Sequence, residues 1–241
     1  MSDELLTIEE ALDFQDRLPD TWKRYRVGIA ERREQNGWTI EPFSIDRDCA
    51  ARKRYILEGG LDRDCGWGDG FTMLKKNGVI WMSDTRAEIM EHSPFLNKLW
   101  WLEDAKPRVL INGLGLGMAV RAALVHGAEH VDVVEIDQDV IDLIGPTFAN
   151  DPVTIHHADA FEVEWPEGTT WTLAWHDIWP AIDDDNLPGM AQLRAKYESS
   201  VEWQDCWQEA GCRAMEAWRA EFQEALASGD LARIKQLDPH F

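Results

Sequence analysis

The spacing of apolar residues changes character along the chain, near residue 106. Before that point, apolar and polar positions alternate in short runs on either side of the dipeptides Asn36-Gly37 and Asn77-Gly78. Asn-Gly between alternating runs is typical of β-hairpins, because both residues tolerate the positive φ that the tightest turns require. We therefore predict one hairpin over Tyr25–Ile45 and a second over Phe71–Met82.

Two helices are predicted around this β unit. The segment Thr7–Leu18 is amphipathic and begins with a capping-box pattern. A second helix begins at Thr85, which Glu88 follows at the spacing of another capping box. Asp84, Glu88 and His92 share one face of that helix, which is compatible with a solvated face or with a row directed at a site.

From residue 106 onward, apolar runs alternate with helical patterns. The predicted strands are Arg108–Asn112, Val131–Ile136, Val153–His156 and Thr172–His176. Helices are predicted over Gly115–His126 and Gln138–Ile144, after the first and second strands. Strands that are apolar throughout and alternate with helices indicate a parallel sheet covered on both faces.

The segment after Pro188 is predicted to be helical. Met190–Leu226 is rich in Ala, Glu, Gln and Arg, and it shows no strand pattern. Either the sheet is truncated after its fourth strand, or further strands are hidden in this segment. Trp203, Trp207 and Trp218 then lie on one face of a helix, which packs on its own domain or forms a contact with a partner, such as a second copy in a homodimer.

These patterns predict an α/β fold with three parts. Residues 1–105 form an N-terminal helix and β-hairpin region, residues 106–189 a Rossmann-like nucleotide-binding domain, and residues 190–241 a helical tail. The fold class is a Rossmann-like parallel sheet with a small N-terminal β unit and a helical C-terminal tail.

The charge of the chain limits its partners. Its net charge is −21, from 24 Lys and Arg against 45 Asp and Glu. Nucleic acid is disfavoured as a partner, because phosphate backbones are bound by clustered basic residues. No apolar run is long enough to span a bilayer, and the first residues lack an apolar signal segment, so we expect a cytoplasmic protein with a small-molecule substrate.

A glycine-rich loop, Gly113–Gly117, follows the first predicted strand. Glycines there let the backbone turn sharply and approach a ligand, although a turn needed only for packing is the alternative. Glu135 and Asp159 follow the next two strands, where carboxylates can bind a ribose and an adenine amino group. The G-x-G-x-G spacing has Met118 where the dinucleotide fingerprint has glycine, and no P-loop lysine is present. S-adenosylmethionine, which carries no phosphate, is therefore favoured over a dinucleotide.

Residues 108–180 resemble class I S-adenosylmethionine-dependent methyltransferases, and within them the spermidine synthase-like subgroup. The glycine loop matches the family's first motif, and the segment VVEIDQDVIDL is similar to its second. The resemblance implies S-adenosylmethionine as cofactor and transfer of its methyl group to a small molecule or another acceptor. The implied cofactor-binding positions are Gly113, Gly115, Gly117, Glu135, Ile136, Asp159 and Ala160.

The chain departs from the spermidine synthases at positions that bind polyamine. Trp81 and a position near Met90 stand where those enzymes keep Gln and Tyr, and Pro180 replaces their second Asp. Aminopropyl transfer from the decarboxylated cofactor is therefore kept as an alternative. A non-catalytic acidic module that binds a nucleotide or a partner is another.

The candidate catalytic residues are Asp177 and His176, at the end of the fourth strand. Because side chains alternate along a strand, only one of them can face the site, and we favour Asp177 as a base or an amine-binding carboxylate. A helix cap is the alternative role for Asp177. Trp81, Trp175 and Trp179 either line a substrate pocket or pack in the core. No Cys or His spacing supports a metal site, so none is expected.

Overall fold

The computed structural model describes residues 20–45, 68–102 and 105–237, which form two sheets joined by helices. The predicted helix over Thr7–Leu18 lies outside the described residues. The fold class is confirmed: a parallel five-stranded sheet carries helices, and a small antiparallel sheet precedes it. Among the described residues, no helix is both long and apolar enough to cross a bilayer.

The first sheet is antiparallel, with strands in the order β1-β2-β3-β4. A 3-10 helix, Asp20–Tyr25, precedes it, and its strands are β1 (Arg33–Gln35), β2 (Trp38–Ile45), β3 (Gly68–Lys76) and β4 (Val79–Ser83). Both predicted hairpins are confirmed, with positive φ at the Asn and the Gly of each turn. The first is shorter than predicted, because Tyr25 ends the 3-10 helix and β1 begins only at Arg33.

The second sheet is parallel and has the strand order β7-β6-β5-β8-β9. Its strands are β5 (Arg108–Asn112), β6 (His130–Glu135), β7 (Val153–His157), β8 (Trp171–His176) and β9 (Val201–Cys206). The chain first moves outward from β5 to β7 and then returns to the other side of β5 with β8. The carboxyl ends of β5 and β8 therefore flank a topological switch point, where open α/β sheets bind their ligands.

Seven α-helices are described, and they cover the sheets or connect their strands. They are α1 (Arg86–Glu91), α2 (Ser93–Trp100), α3 (Met118–Val125), α4 (Gln138–Ile144), α5 (Leu187–Tyr197), α6 (Glu209–Ser228) and α7 (Leu231–Leu237). Two short 3-10 helices, Gly145–Phe148 and Asp184–Asn186, complete the connections.

The prediction of an entirely helical segment after Pro188 is wrong, because Val201–Cys206 forms the fifth strand of the parallel sheet. β9 is an edge strand, so three of its six residues are polar and no apolar run marks it. Trp203 lies in β9 and Trp207 follows it, so neither shares the helix of Trp218 that was predicted as a contact face. Homodimer formation and the division of the chain at residue 189 stay predictions.

One hydrophobic core connects the two sheets. Trp22 and Phe71 of the N-terminal part belong to the same buried cluster as Ile111 of β5 and Val133 of β6. Phe95 of α2 stacks on Trp175 of β8, with ring centroids 5.4 Å apart. The packing therefore holds the small sheet against the carboxyl edge of the parallel sheet, where the switch point lies.

Candidate functional site

A cavity of about 380 Å³ lies at the switch point, between the two sheets. Its floor is formed by the loops that follow β5, β6, β7 and β8. Its roof includes Trp38, Trp81 and Met82 of the small sheet, and its side is formed by α1 and the start of α2. The predicted site residues that line it are Gly113, Gly115, Glu135, Ile136, Asp159, Ala160 and Asp177.

The glycine loop is held tightly against β8. Gly113 has a φ of +100°, and a Cβ there would lie 2.0 Å from the backbone oxygen of Asp177. Gly117, at φ +87°, does not line the cavity, and a Cβ on it would lie 2.6 Å from the ring of Phe148. Packing therefore requires glycine at these two positions, and it also brings the backbone of the loop to the cavity wall.

Glu135 ends β6 and holds the turn that surrounds the cavity. Its Oε2 accepts a hydrogen bond from the backbone N–H of Leu114 at 2.9 Å, and its Oε1 accepts one from Asp137 at 2.9 Å. A carboxylate has about four lone-pair positions, so both oxygens can still accept a hydrogen bond from a ligand hydroxyl. Ile136 beside it is 65% exposed, which leaves an apolar surface at the rim.

The loop after β7 forms the next part of the wall. Oδ1 of Asp159 accepts a hydrogen bond from the backbone N–H of Phe161 at 2.8 Å, which closes a tight turn. Ala160 is buried, and Lys196 of α5 donates to its carbonyl oxygen at 3.1 Å. Asp159 therefore has a local structural role and also lines the cavity.

Asp177 is the most perturbed carboxyl group of the cavity. Burial raises the pKa of its side chain to about 7, and the nearby charges of Glu91 and Glu88 raise it further. Its backbone N–H donates to Asn112 O at 2.8 Å, which fixes the residue at the end of β8. A carboxyl with a pKa near neutral pH can hold or release a proton under ordinary conditions.

His92 is the nearest titratable nitrogen to Asp177. Its Nδ1 lies 3.8 Å from Oδ2 of Asp177 and accepts a hydrogen bond from Nε1 of Trp175 at 3.2 Å. Burial lowers the pKa of His92 to about 4, so the ring is neutral at pH 7. With Nδ1 as acceptor, the proton of the neutral ring is on Nε2. His92 therefore does not neutralise Asp177.

The structure does not bring His176 to the cavity. Its Nδ1 bonds the Asn112 side chain at 2.8 Å, its Nε2 bonds Gln204 of β9 at 3.0 Å, and its ring stacks on Tyr197. Burial lowers the pKa of His176 to about 4. Strand alternation places His176 and Asp177 on opposite faces, and the fifth strand supplies a partner for the histidine. His176 therefore has the contacts of a buried structural residue.

The small sheet is held over the cavity by the N-terminal end of α4. Trp38 Nε1 donates to Oδ2 of Asp137 at 2.8 Å, and Lys76 Nζ lies 3.3 Å from the same oxygen. Although burial alone would raise the pKa of Asp137, these hydrogen bonds lower it overall. Trp81 is the extra residue of a β-bulge, because Met82 pairs with Leu74 and Ile80 with Lys75. Bulges redirect side chains beside active sites, and Trp81 here lines the cavity.

Of the row Asp84, Glu88 and His92, two residues line the cavity and one has a structural role. Glu88 and His92 line the cavity, whereas Asp84 is fully buried and accepts backbone N–H groups of Val27 and Thr72. The predicted capping box of α1 is wrong. Thr85 makes no side-chain cap, and the Glu88 carboxylate instead accepts from the N–H and hydroxyl of Ser83, each at 2.6 Å.

Several residues that line the cavity were not predicted as site residues, because they come from elements that are distant in the sequence. Trp175 packs in the core, whereas Trp81 and Trp179 line the cavity. The additional lining residues include Trp38, Lys76, Met82, Glu91 and Trp207. Of these, Glu91 and Met82 each adjoin a residue that the sequence suggested for a site, His92 and Trp81 respectively. The others needed the packing of the two sheets to be known.

Comparison with known proteins gives structural similarity only. Neither a model of a protein family nor a curated protein sequence matches the chain. An S-adenosylmethionine-dependent methyltransferase from Mesorhizobium loti is 20% identical, with a TM-score of 0.37, over 46% of this chain and 49% of that one. The CcbJ methyltransferase from Streptomyces caelestis is 15% identical, with a TM-score of 0.35, over 45% of each chain. The chain thus spans about half the length of these solved structures.

Proposed function

We propose that this chain is an S-adenosylmethionine-dependent methyltransferase with a small-molecule acceptor and with Asp177 as the base. The observation that carries the proposal is the position of Asp177. It is a buried carboxyl with a pKa of about 7, at the topological switch point, and the glycine loop packs directly against its backbone. A base at this place and with this pKa suits a reaction in which an acceptor loses a proton.

The residues around the cavity fit the cofactor. Glu135 keeps an acceptor position on each oxygen for the two ribose hydroxyls, and Ile136 and Ala160 offer apolar surface to an adenine ring. A dinucleotide fits less well. Lys76 is the one Lys or Arg among the described lining residues, and it is paired with Asp137. A pyrophosphate would therefore meet carboxylates without a free cation.

One backbone donor next to the cavity residue Met82 has only a weak acceptor. The backbone N–H of Leu116, just before α3, donates to Met82 Sδ at 2.9 Å. A thioether is a weak acceptor, so a carboxylate would be a better partner for this N–H at the positive end of a helix. This contact favours the complete cofactor, which has a carboxylate, over the decarboxylated form.

The chain's own residues would position the reactants and accept a proton. S-adenosylmethionine, when bound, supplies a methyl group made electrophilic by a sulfonium. Asp177 would accept the proton that the acceptor loses, and burial, together with the charges of Glu91 and Glu88, keeps its pKa high enough for that role. Neutral His92 lies 3.8 Å from this carboxyl and already accepts from Trp175, so it would leave the carboxyl free to bind the acceptor. The small sheet covers the cavity on one side, and the main contribution of the protein to methyl transfer would be to position the two reactants.

The first test is calorimetric titration with S-adenosylmethionine, S-adenosylhomocysteine and decarboxylated S-adenosylmethionine. We expect the first two to bind. We expect Gly115→Arg to abolish binding, because even a Cβ there would lie 2.7 Å from Met82 Sδ and the longer side chain would extend into the cavity. Failure of all three ligands to bind would contradict the proposal and favour the acidic binding module.

Aminopropyl transfer is the second candidate, and one observation favours it. Glu88, Glu91 and Asp177 form an acidic wall that would repel a cofactor carboxylate placed against it. A clear preference for decarboxylated S-adenosylmethionine in the same titration would therefore support aminopropyl transfer as the function and contradict methyl transfer.

A further inference from the structure

A second part of the cavity lining comes from residues outside the cofactor-binding set, and one of them, Asp177, adjoins the glycine loop. Asp177 and Trp179 follow β8, and Trp207 follows the neighbouring β9. Glu91 ends α1 and faces the same space. We name this part the acceptor pocket and define it by Asp177, Trp179, Trp207, Glu88, Glu91 and His92.

The acceptor pocket is acidic, and none of the residues that define it supplies a positive charge. His92 is neutral at pH 7 because burial lowers its pKa to about 4. Lys76, the basic side chain in the described cavity lining, is the last residue of β3, and its Nζ lies 3.3 Å from Oδ2 of Asp137. The potential inside this pocket therefore favours a cation.

Asp177 and His92 are polar residues that line this pocket and have little solvent exposure. The Asp177 side chain is 14% exposed and the His92 side chain is 6% exposed. Oδ2 of Asp177 lies 3.8 Å from Nδ1 of His92, and Trp175 already donates a hydrogen bond to that nitrogen. Among residues 20–45, 68–102 and 105–237, no donor forms a hydrogen bond to the ionised Asp177 carboxylate, and this is costly unless a ligand supplies one.

The apolar wall of the acceptor pocket is aromatic. Trp207 is fixed by its backbone N–H, which donates to His176 O at 2.8 Å. Trp179 is supported from behind by Gly189, where a Cβ would lie 3.6 Å from its Nε1. Indole faces stack on flat rings and attract cations, so the two tryptophans select a flat group next to the positive charge.

We propose that the methyl acceptor is a primary or secondary amine carried on an aromatic body. The ammonium group pairs with Asp177, and the ring lies against Trp179 and Trp207. This inference rests on the proposed methyl transfer and adds the chemical class of the acceptor to it.

The reaction that follows balances in atoms and charge. The ammonium gives one proton to the Asp177 carboxylate, which leaves a neutral amine with a free lone pair. The nitrogen lone pair forms a bond to the methyl carbon, and the carbon–sulfur bond breaks with its electron pair kept by sulfur. The sulfonium becomes a neutral thioether, and the positive charge passes to the methylated nitrogen.

The experiment is calorimetric titration of the protein saturated with S-adenosylhomocysteine, using probes matched in shape. 2-Phenylethylamine carries the ring and the cation, 2-phenylethanol the ring alone, and 1,4-diaminobutane the cation without the ring. We expect 2-phenylethylamine to bind roughly ten- to a hundredfold more tightly than the alcohol, the range of one charge-assisted hydrogen bond. We expect Asp177→Asn to remove that difference, and Asp151→Asn, on the exposed surface, to keep it.

The outcomes separate the two proposals. If S-adenosylhomocysteine itself does not bind, the proposed function fails before the acceptor is tested. If it binds but the amine and the alcohol bind equally, the function stands and the amine class is wrong. Tighter binding of 1,4-diaminobutane than of 2-phenylethylamine would show that the acceptor does not carry an aromatic ring. Retained S-adenosylhomocysteine affinity in Asp177→Asn shows that the variant is folded.

Discussion

Asp177 shows how one residue can join stability to function. Its side chain is 14% exposed and stands beside Glu88 and Glu91, so the folded protein favours its protonated form. The same placement that costs free energy when the group ionises keeps its pKa near neutral pH. Such destabilised groups are common at functional sites, because a carboxylate that is fully hydrogen-bonded has a low pKa and is a poor base.

We predict that Asp177→Asn makes stability less dependent on pH. The folded pKa of about 7 lies above the unfolded value of about 3.9. The native state therefore holds an extra proton between these values, and the stabilisation it brings is complete below the lower value and is lost as pH rises through the upper. The free energy of unfolding of the wild type should fall by on the order of 2 kcal/mol between about pH 5 and about pH 8.

Urea unfolding at those two pH values tests this prediction. Asp177→Asn cannot lose a proton, so its free energy of unfolding should stay closer to constant. Asp151→Asn, whose parent side chain is exposed, should follow the wild type. A variant Asp177→Asn that loses stability with pH as steeply as the wild type would show that another group titrates.

At the scale of elements, the glycine loop connects the cofactor side of the cavity with β8. Gly113 donates its N–H to Val134 O at 2.8 Å, while Asp177 donates to Asn112 O at 2.8 Å. The loop is thus tied to β6 on one side and abuts the end of β8 on the other. Any side chain at Gly113 would separate the base from the cofactor loop.

We predict that Gly113→Ala destabilises the protein far more than Gly168→Ala. Both glycines have positive φ, but a Cβ at Gly168 meets no atom within 4 Å, whereas one at Gly113 lies 2.0 Å from Asp177 O. Gly168→Ala should cost about 1–2 kcal/mol, the cost of a left-handed conformation. Gly113→Ala should cost at least about 3 kcal/mol, because the backbone of β8 must also move.

Denaturant unfolding of the two variants measures this difference, and calorimetry with S-adenosylmethionine measures its consequence. Gly168→Ala should bind the cofactor like the wild type, because Gly168 lies outside the cavity lining. Equal losses of stability in both variants would mean that the contact between the loop and β8 is absent.

At the scale of the whole molecule, the C-terminal part completes the sheet and the acceptor pocket together. Arg194 of α5 donates to Glu209 of α6 at 2.6 Å and to the carbonyl of Gln204 in β9 at 3.0 Å. Cys206 and Cys212 are buried with Met190 in a small core of their own. These contacts attach β9 and α6 to the rest of the fold.

We predict that a chain ending at Ser200 does not unfold cooperatively. It lacks β9, so the edge of β8 is open, His176 loses Gln204, and Trp207 is missing from the acceptor pocket. A chain ending at Gly229 lacks only α7 and should keep a cooperative thermal transition. If the chain ending at Ser200 melts cooperatively near the wild-type temperature, residues 106–189 are a self-sufficient domain and the tail is accessory.

Local chemistry explains which parts of this molecule the sequence could predict. Asn36-Gly37 and Asn77-Gly78 marked both hairpins, because few other dipeptides accept two positive φ values. The strands β5, β6 and β8 were visible because interior strands of a parallel sheet are apolar, and the edge strand β7 was visible from the alternation of Val153 and Ile155. Gly113, Glu135 and Asp159 were brought to one cavity simply because parallel strands end at the same edge.

Only the tertiary structure decided what closes that cavity. β9 was hidden because an edge strand is half solvated and needs no apolar run. Trp38, Met82 and Lys76 are distant in sequence from the loop they cover, and no local pattern records such packing. The perturbed pKa of Asp177 also depends on neighbours from α1. The sequence by itself determined the order of the elements and the ends of the strands, because these follow from local periodicity, whereas burial and charge in the site follow from long-range contacts.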